Sequence, residues 1–269
     1  MTEDTFRTLT LEVVEQATSG DASALDRILT LLSRPFYNLA LRMLQNHQDA
    51  EDASQESLIR VATKLSTFKG KSEFSTWAWT VATRCILDYR EGMARRARIT
   101  VDGFTTDLMD GLEMADDDDP ENRLYLSQVK LGCGRAMLQV LDGDHRLAYT
   151  LSEIMGLEQS EAAAAVGVSA ATFRKRVSRA RLRVRELLKR NCGIVADANT
   201  CRCRGRRARA MELNRLEPRD AVVLDIGALS RQIQEVDELS RTSAFFQADP
   251  AASPSERLLP RVKEILRLS

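Results

Sequence analysis

The sequence predicts an all-α protein: two small helical domains joined by an acidic flexible linker, with a helical extension at the C-terminal end. Three observations carry this. Apolar residues recur at helical spacing through most of the chain. Ala, Leu, Arg and Glu abound while aromatics make up only 5%, a composition that favours helix over sheet. Charge is segregated although the formal net charge is +0: residues 102–122 hold nine Asp or Glu and no Lys or Arg, whereas residues 169–211 hold fourteen Lys or Arg against Glu186 and Asp197. Such polarity implies modules with different partners, one of them polyanionic. No apolar run approaches the ~18–20 residues needed to span a bilayer. The start, "MTEDTFRTLTLEVVEQ", lacks a signal peptide's basic head and apolar core. A cytoplasmic protein without a membrane span is expected. Five cysteines, an odd number, do not resemble a secreted disulfide framework.

The first domain is expected over residues 11–98. "DASALDRILTLLSRPFYNLALRMLQ" places Leu25, Ile28, Leu29, Leu32, Phe36 and Leu39 at helical spacing, with Asp21 as N-cap. In "HQDAEDASQESLIRVATKL" Asp49 is the expected cap, and Ala53, Leu58, Val61, Ala62 and Leu65 form the buried stripe. "STFKGKSEFS" breaks the period at Gly70 and reads as a loop. "TWAWTVATRCILDYREGMARRAR" is helical again, with Trp77, Val81, Cys85 and Ile86 on the apolar side. Trp77 reads as core, and Trp79 is balanced between core and surface. Residues 99–122, broken by Gly, Asp and Pro, read as the linker.

The second domain is expected over residues 123–190. "LYLSQVKLGCGRAMLQVL" and "DHRLAYTLSEIM" predict two helices. "EQSEAAAAVGVSAATFRKRVSRARLRVRELLKR" then predicts a short helix capped by Ser160, a turn at "VGVS", and a long basic helix capped by Ser169. Short helix, Gly-containing turn and long helix make the helix-turn-helix pattern. Ala163, Ala164 and Gly167 permit close approach of the two helices, and Val166, Val168, Phe173 and Val177 fill the seam. Thr172, Arg174, Lys175, Ser178 and Arg179 are left for the exposed face, where Arg can grip a guanine edge with two hydrogen bonds. A merely solvated arginine-rich helix explains the charge but not the turn before it.

Both modules carry the marks of one family. Asp49 to Asp52 (Asp-Ala-Glu-Asp), Gln55 and Glu56, and Phe74 to Trp77 (Phe-Ser-Thr-Trp) resemble region 2 of bacterial sigma factors. "EAAAAVGVSAATFRKRVSRARLRVREL" is similar to region 4. An acidic linker with no room for a region 3 resembles the extracytoplasmic-function (ECF) class. The resemblance implies a non-catalytic, dissociable subunit that directs RNA polymerase core to promoters. It places Asp49, Glu51, Asp52, Gln55 and Glu56 on the β′ coiled coil, while capping and dipole effects at the helix start are the plainer reading of Asp49 and its neighbours. It assigns Lys69, Lys71, Ser72, Phe74, Arg84 and Arg90 to the single-stranded −10 element, with Arg95 and Arg96 on the same DNA-facing side. It assigns Arg174, Lys175 and Ser178 to −35 base edges and Arg176 and Arg179 to phosphates, and Thr172 joins them in the −35 set. The β flap and an anti-sigma protein are the further partners it suggests. No catalytic constellation is present, and His47 and His145 lie apart from the cysteines in sequence.

The extension over residues 191–269 exceeds what an ECF factor needs. "CGIVADANTCRCRGR" resembles the cysteine-rich, metal-responsive extensions of some ECF groups. No cofactor is required for promoter recognition, but Cys192, Cys201 and Cys203 are candidate ligands for zinc or another thiophilic metal, with Asp197, Cys133 or water as the fourth donor. A Cys192–Cys201 disulfide and three reduced thiols are the alternatives. The surrounding arginines are expected to favour the thiolates. Cys85 reads as a core residue. Leu229, Ile233, Val236 and Leu239 predict one helix in the tail, and Leu258, Val262, Ile265 and Leu266 another. A stand-alone helix-turn-helix repressor is the competing class, and it needs neither the acidic cluster of Asp49–Glu56 nor the loop of Phe68–Trp77.

Overall fold

The computed structural model describes residues 11–92, 100–110, 122–213, 215–216, 223–237 and 240–268. Arg95, Arg96, Leu239 and the linker residues 111–121 lie outside them. The helices are α1 (Leu11–Thr18), α2 (Ala22–Leu44), α3 (His47–Lys64), α4 (Phe74–Gly92), α5 (Val101–Met109), α6 (Asn122–Leu138), α7 (Gly143–Tyr149), α8 (Gln159–Val166), α9 (Ala170–Asn191), α10 (Arg207–Glu212), α11 (Ile226–Glu235), α12 (Arg241–Gln247) and α13 (Leu258–Leu266). Among the described residues there is no β-sheet, only a single bridge between Cys192 and Cys201. The fold is all-α, as expected. The chain divides into two compact units, one of residues 1–96, 147–177 and 251–269, the other of residues 97–146 and 178–250.

The first unit is built on α2, α3 and α4. Asp21 caps α2 as expected, its carboxylate accepting from the backbone N–H groups of Ser23 at 2.8 Å and Ala24 at 3.1 Å. The hydroxyl of Ser23 also donates to it, and these bonds hold the carboxyl below its ordinary pKa. Ile28, Leu29, Leu32, Phe36 and Leu39 are fully buried along one stripe. Pro35 lies inside α2, which runs through it although proline supplies no N–H to the helix. Gln45 ends α2 in the left-handed region at φ 62°, its N–H donating to Leu41 O.

α3 begins earlier than expected. Its cap is Asn46, whose side-chain oxygen accepts from the Asp49 N–H at 2.9 Å, so Asp49 sits in the first turn rather than at the cap. The inner face of α3 carries Ala50, Ala53, Ser54, Ser57, Leu58 and Val61, all fully buried. On α4 the core tryptophan is Trp79, which the sequence left balanced, and not Trp77, which was expected there. Trp79 is 1% exposed and its ring lies 5.6 Å from that of Phe36, while Trp77 is half-buried at the flank. The reason is the stripe itself: Phe74, Ala78, Ala82, Cys85 and Ile86 point inward, and Trp79 follows that face more closely than Trp77 does. Cys85 is a core residue as expected.

Three further pieces complete this unit. Helix α7 continues into a π-helical turn, Thr150–Ile154, with Thr150 and Leu151 buried. Helix α8 lies against α4, where Thr83 donates to Ala165 O at 3.0 Å and Ser75 donates to the Glu161 carboxylate at 2.6 Å. Helix α13 lies on α2 and α3, burying Leu258 and Val262.

In the second unit, α6 is closed off by a buried arginine. Arg146 donates to Leu138 O and to Leu141 O, each at 2.9 Å, satisfying carbonyls at the helix C-terminus. Lys130 is fully buried and pairs with Asp249, donates to Phe245 O at 2.6 Å and lies 4.4 Å from the Phe245 ring centroid. That ion pair ties α6 to the end of α12, a helix the sequence period did not reveal. The expected tail helix around Leu229 and Ile233 is α11, which ends at Glu235 and is capped by Asp225.

Trp79→Ala should lower stability by about 3–5 kcal/mol, and Trp77→Ala by clearly less, because only the first empties a fully buried site. Denaturant unfolding of both variants checks this; equal losses would contradict the assignment of Trp79 as the core residue.

Candidate nucleic-acid interface

The helix-turn-helix is formed by α8 and α9. Glu158 precedes α8 without a side-chain capping bond, and Ser160, the expected cap, falls inside the helix. Gly167 closes α8 at φ 77°, a left-handed conformation that favours glycine, and its N–H donates to Ala163 O and Ala164 O. Ser169 caps α9 as expected, its hydroxyl accepting from the Thr172 N–H at 3.2 Å. Phe173 and Val177 are buried in the seam together with Ala162, Ala163 and Ala165, while Ala164 faces solvent instead of the seam. Thr172, Arg174, Lys175, Ser178 and Arg179 are exposed on one side of the helix, and Arg176 is half-buried at its edge. This presents a compact row of donors at the N-terminal half of a helix, the part that enters a major groove.

The expected −10 residues divide into two groups. Lys69, Lys71 and Ser72 are exposed on the loop between Phe68 and Glu73, which turns at Gly70 with φ 66°. Phe74 corrects the expectation. It is 4% exposed, and its ring packs 5.4 Å from Phe68 and 5.6 Å from Trp77. It anchors the base of the loop, and no face of it is open for stacking. Arg84, exposed, and Arg90, half-buried, lie further along α4, about 15 Å and 24 Å from its start at 1.5 Å per residue.

The five expected polymerase residues share α3 but have different partners. Gln48 donates to Asp52 at 3.1 Å, Arg60 donates to Glu56 at 2.7 Å, and Tyr89 reaches Asp49 at 3.5 Å. Gln55 is half-buried. Glu51 has a partner that sequence reasoning missed: the backbone N–H of Ser255 donates to one carboxylate oxygen at 3.1 Å and its hydroxyl to the other at 3.0 Å.

The cysteines gather in the second unit. Cys133 on α6, Cys192 at the end of α9, and Cys201 and Cys203 lie within electrostatic reach of one another. Cys192 and Cys201 are joined by a backbone bridge, with the Gly193 N–H donating to Cys201 O at 3.0 Å, and the N–H groups of Val195 and Ala196 donate to Cys192 O at 3.2 and 2.9 Å. The arginines do not dominate here. Burial pushes all four thiols up, Cys201 to about 11, because removal from water outweighs the pull of Arg206 and Arg202. Among the described residues no three His, Cys, Asp or Glu side chains stand in an arrangement that holds a metal ion.

The arginine burst serves another purpose. The stretch expected as a flexible linker contains α5, capped by Thr100, and its acids meet the extension. Arg206, almost buried, donates to Asp110 O at 2.6 Å. Arg209 pairs with the Asp110 carboxylate at 2.5 Å and Arg215 with Asp107 at 2.7 Å. The Arg215 hydrogen bond holds the Asp107 carboxyl below its ordinary value.

These features define an all-helical protein with a helix-turn-helix whose second helix presents a basic face, and a separate helix with an acidic outer face. Comparisons with known proteins then give the family. A family model described as Sigma-70 region 2 matches residues 29–96, and one described as Sigma-70, region 4 matches residues 133–184. The chain is 31% identical over 184 residues to the ECF RNA polymerase sigma factor SigE of Mycolicibacterium smegmatis, covering 67% of this chain and 68% of that protein. It is 27% identical to the RNA polymerase sigma-H factor of Pseudomonas aeruginosa, covering 63% and 89%. Among solved structures, the sigma factor RpoE in complex with the anti-sigma factor NepR from Bartonella quintana is 29% identical with a TM-score of 0.41, covering 59% of this chain and 93% of that one. The chain belongs to the ECF sigma factors, non-catalytic subunits that direct RNA polymerase to promoters. About eighty residues follow the part these relatives share. Among the described residues no helix is long and apolar enough to cross a membrane.

Arg206→Ala should cost about 1–3 kcal/mol by leaving the Asp110 carbonyl without its donor, whereas Arg215→Ala, at an exposed pair, should cost under about 1 kcal/mol and less still in high salt. Thermal melts at two ionic strengths separate the two.

Proposed function

We propose that the outer face of α3 docks on the polymerase β′ coiled coil, that Lys69, Lys71 and Ser72 meet the single-stranded −10 element, and that the start of α9 reads the −35 duplex in the cytoplasm. The observation that carries this is the division of α9. Phe173 and Val177 are buried while Thr172, Arg174, Lys175, Ser178 and Arg179 are exposed, so the basic row is free of packing duties. The loop supports the −10 role through two exposed lysines, as single-strand binding needs positive charge along the backbone. Arg84 and Arg90 would follow the same strand along α4.

Full-length protein with core polymerase tests the reading. Asp52→Arg should weaken core binding at least about tenfold, because it sets a cation against a basic surface. Lys175→Ala should leave core binding intact and reduce promoter-specific run-off transcription. A protein that binds duplex operators yet fails to co-purify with core polymerase would instead be a repressor.

A second reading concerns the extension. The backbone bridge of Cys192 with Cys201, with Cys203 two residues on and Cys133 near, supports a four-thiol centre for zinc that forms only when the sulfurs close on the ion. Binding would draw the four sulfurs inward and couple metal or oxidant to the end of the −35 helix. An anti-sigma protein is the remaining candidate partner. Purified protein should hold about one zinc per chain, and Cys133→Ser should lose it as fully as Cys201→Ser does. Protein free of zinc that retains its fold would leave a thiol switch as the role of these cysteines.

A further inference from the structure

Residues 251–266 turn back from the second unit's sequence to join the first, and their contacts fall on the face of α2 and α3. Asn38 makes a two-way bond with Ala252: its amide donates to Ala252 O at 2.8 Å, and its oxygen accepts from the Ala252 N–H at 2.9 Å. Arg34 donates to Ala251 O at 2.6 Å. Ser255 occupies both carboxylate oxygens of Glu51. Leu258 and Val262 are buried against the helices, and Lys263 pairs with Asp26 at 2.6 Å. This is a built contact of specific polar bonds around an apolar anchor.

We infer that residues 251–266 are a tethered competitor for the polymerase-docking face of α3. The inference rests on the proposal that this face meets the polymerase. Glu51 cannot give the same two oxygens to a basic partner while Ser255 holds them, and a body lying across α2 and α3 obstructs a coiled coil approaching Glu51. Because the competitor belongs to the same chain, its effective concentration does not fall on dilution, so core polymerase must displace it at any protein level. Binding is then weakened by the fraction of chains in which the face is covered. Whatever frees the tail raises the affinity for core without altering any residue that touches it.

Ser255→Asp in the full-length protein tests this, since it sets a second carboxylate against Glu51 on a tail residue outside the core. Val262→Glu, which removes the apolar anchor, is the second variant. Both should speed amide hydrogen exchange in residues 251–266 and tighten core binding, by about tenfold where nine chains in ten are covered. A synthetic peptide of residues 251–268, added to the Val262→Glu protein, should return the affinity toward that of the unaltered chain. Faster exchange in the tail with core affinity within twofold would overturn the inference and make the segment a brace. Loss of protection in α2 and α4 would mark a variant as unfolded, and the other then decides. Asp52→Arg separates the two levels: if it leaves core binding unchanged, the docking reading itself fails; if it weakens binding while both tail variants do nothing, only the competitor is excluded.

Discussion

The first unit depends on how closely α3 can lie between its neighbours. Its inner face is built from Ala50, Ala53, Ser54 and Ser57, all fully buried, with Leu58 and Val61 beyond them. Small side chains bring α2 and α4 near, and the two serines satisfy their hydroxyls within the helix, on Ala50 O at 2.5 Å and Ala53 O at 2.7 Å. No buried polar atom is left over from the choice of serine. With that face committed inward, Glu51, Asp52, Gln55 and Glu56 are forced toward the outside. The acidic surface and the tail that lies on it are consequences of a packing requirement on the opposite side. A larger residue at Ala53 or Ser57 would push α4 outward and with it the loop that Phe74 anchors.

Helices with strong punctuation were legible in the amino-acid sequence. Asp21 and Ser169 cap where expected, Gly167 makes the turn, and Phe173 and Val177 fill the seam, because each is a local rule with a local cause. The misplacements come from near-degenerate choices. Asn46 and Asp49 are both good caps three residues apart, and one more turn of helix was enough to select Asn46. Trp77 and Trp79 lie on either side of the α4 stripe, Trp79 only slightly closer to it, and Phe36 on another helix meets Trp79. Phe74 looked available because it ends a loop motif, but it begins a helix whose face is buried. The tail contact was invisible to periodicity, since Ala251, Ala252 and Ser255 bind mainly through backbone atoms. The apolar pair Leu258 and Val262 gave the helix without its destination.

The charge pattern was legible in sign and misread in effect. The nine acids and the arginine burst are complementary, and Asp107 and Asp110 meet Arg206, Arg209 and Arg215 as such a pattern requires. Arg202, Arg204, Arg206 and Arg207 were expected to favour the thiolates. Of these, Arg206 is drawn to α5 and Arg202 to backbone carbonyls, Asp197 O among them at 3.0 Å, and burial dominates at the sulfurs. Desolvation acts on each thiol at full strength, whereas a guanidinium already paired with a carboxylate offers a reduced field.

The buried face of helix α8 is three alanines, Ala162, Ala163 and Ala165, and α8 meets α4 through the Ser75–Glu161 and Thr83–Ala165 bonds. Promoter elements named −10 and −35 stand roughly 25 base pairs apart, which is about 85 Å of duplex at ~3.4 Å per base pair. On the proposed roles, with Lys69, Lys71 and Ser72 at the −10 strand and the start of α9 at the −35 duplex, a chain whose α4 and α8 are joined by these bonds is far shorter than that ruler. Occupying both elements requires the α4–α8 contact to part, and an alanine surface makes the parting cheap because each methyl exposes little apolar area. On that proposed reading the DNA itself, by its length, selects against the conformation in which these two helices touch.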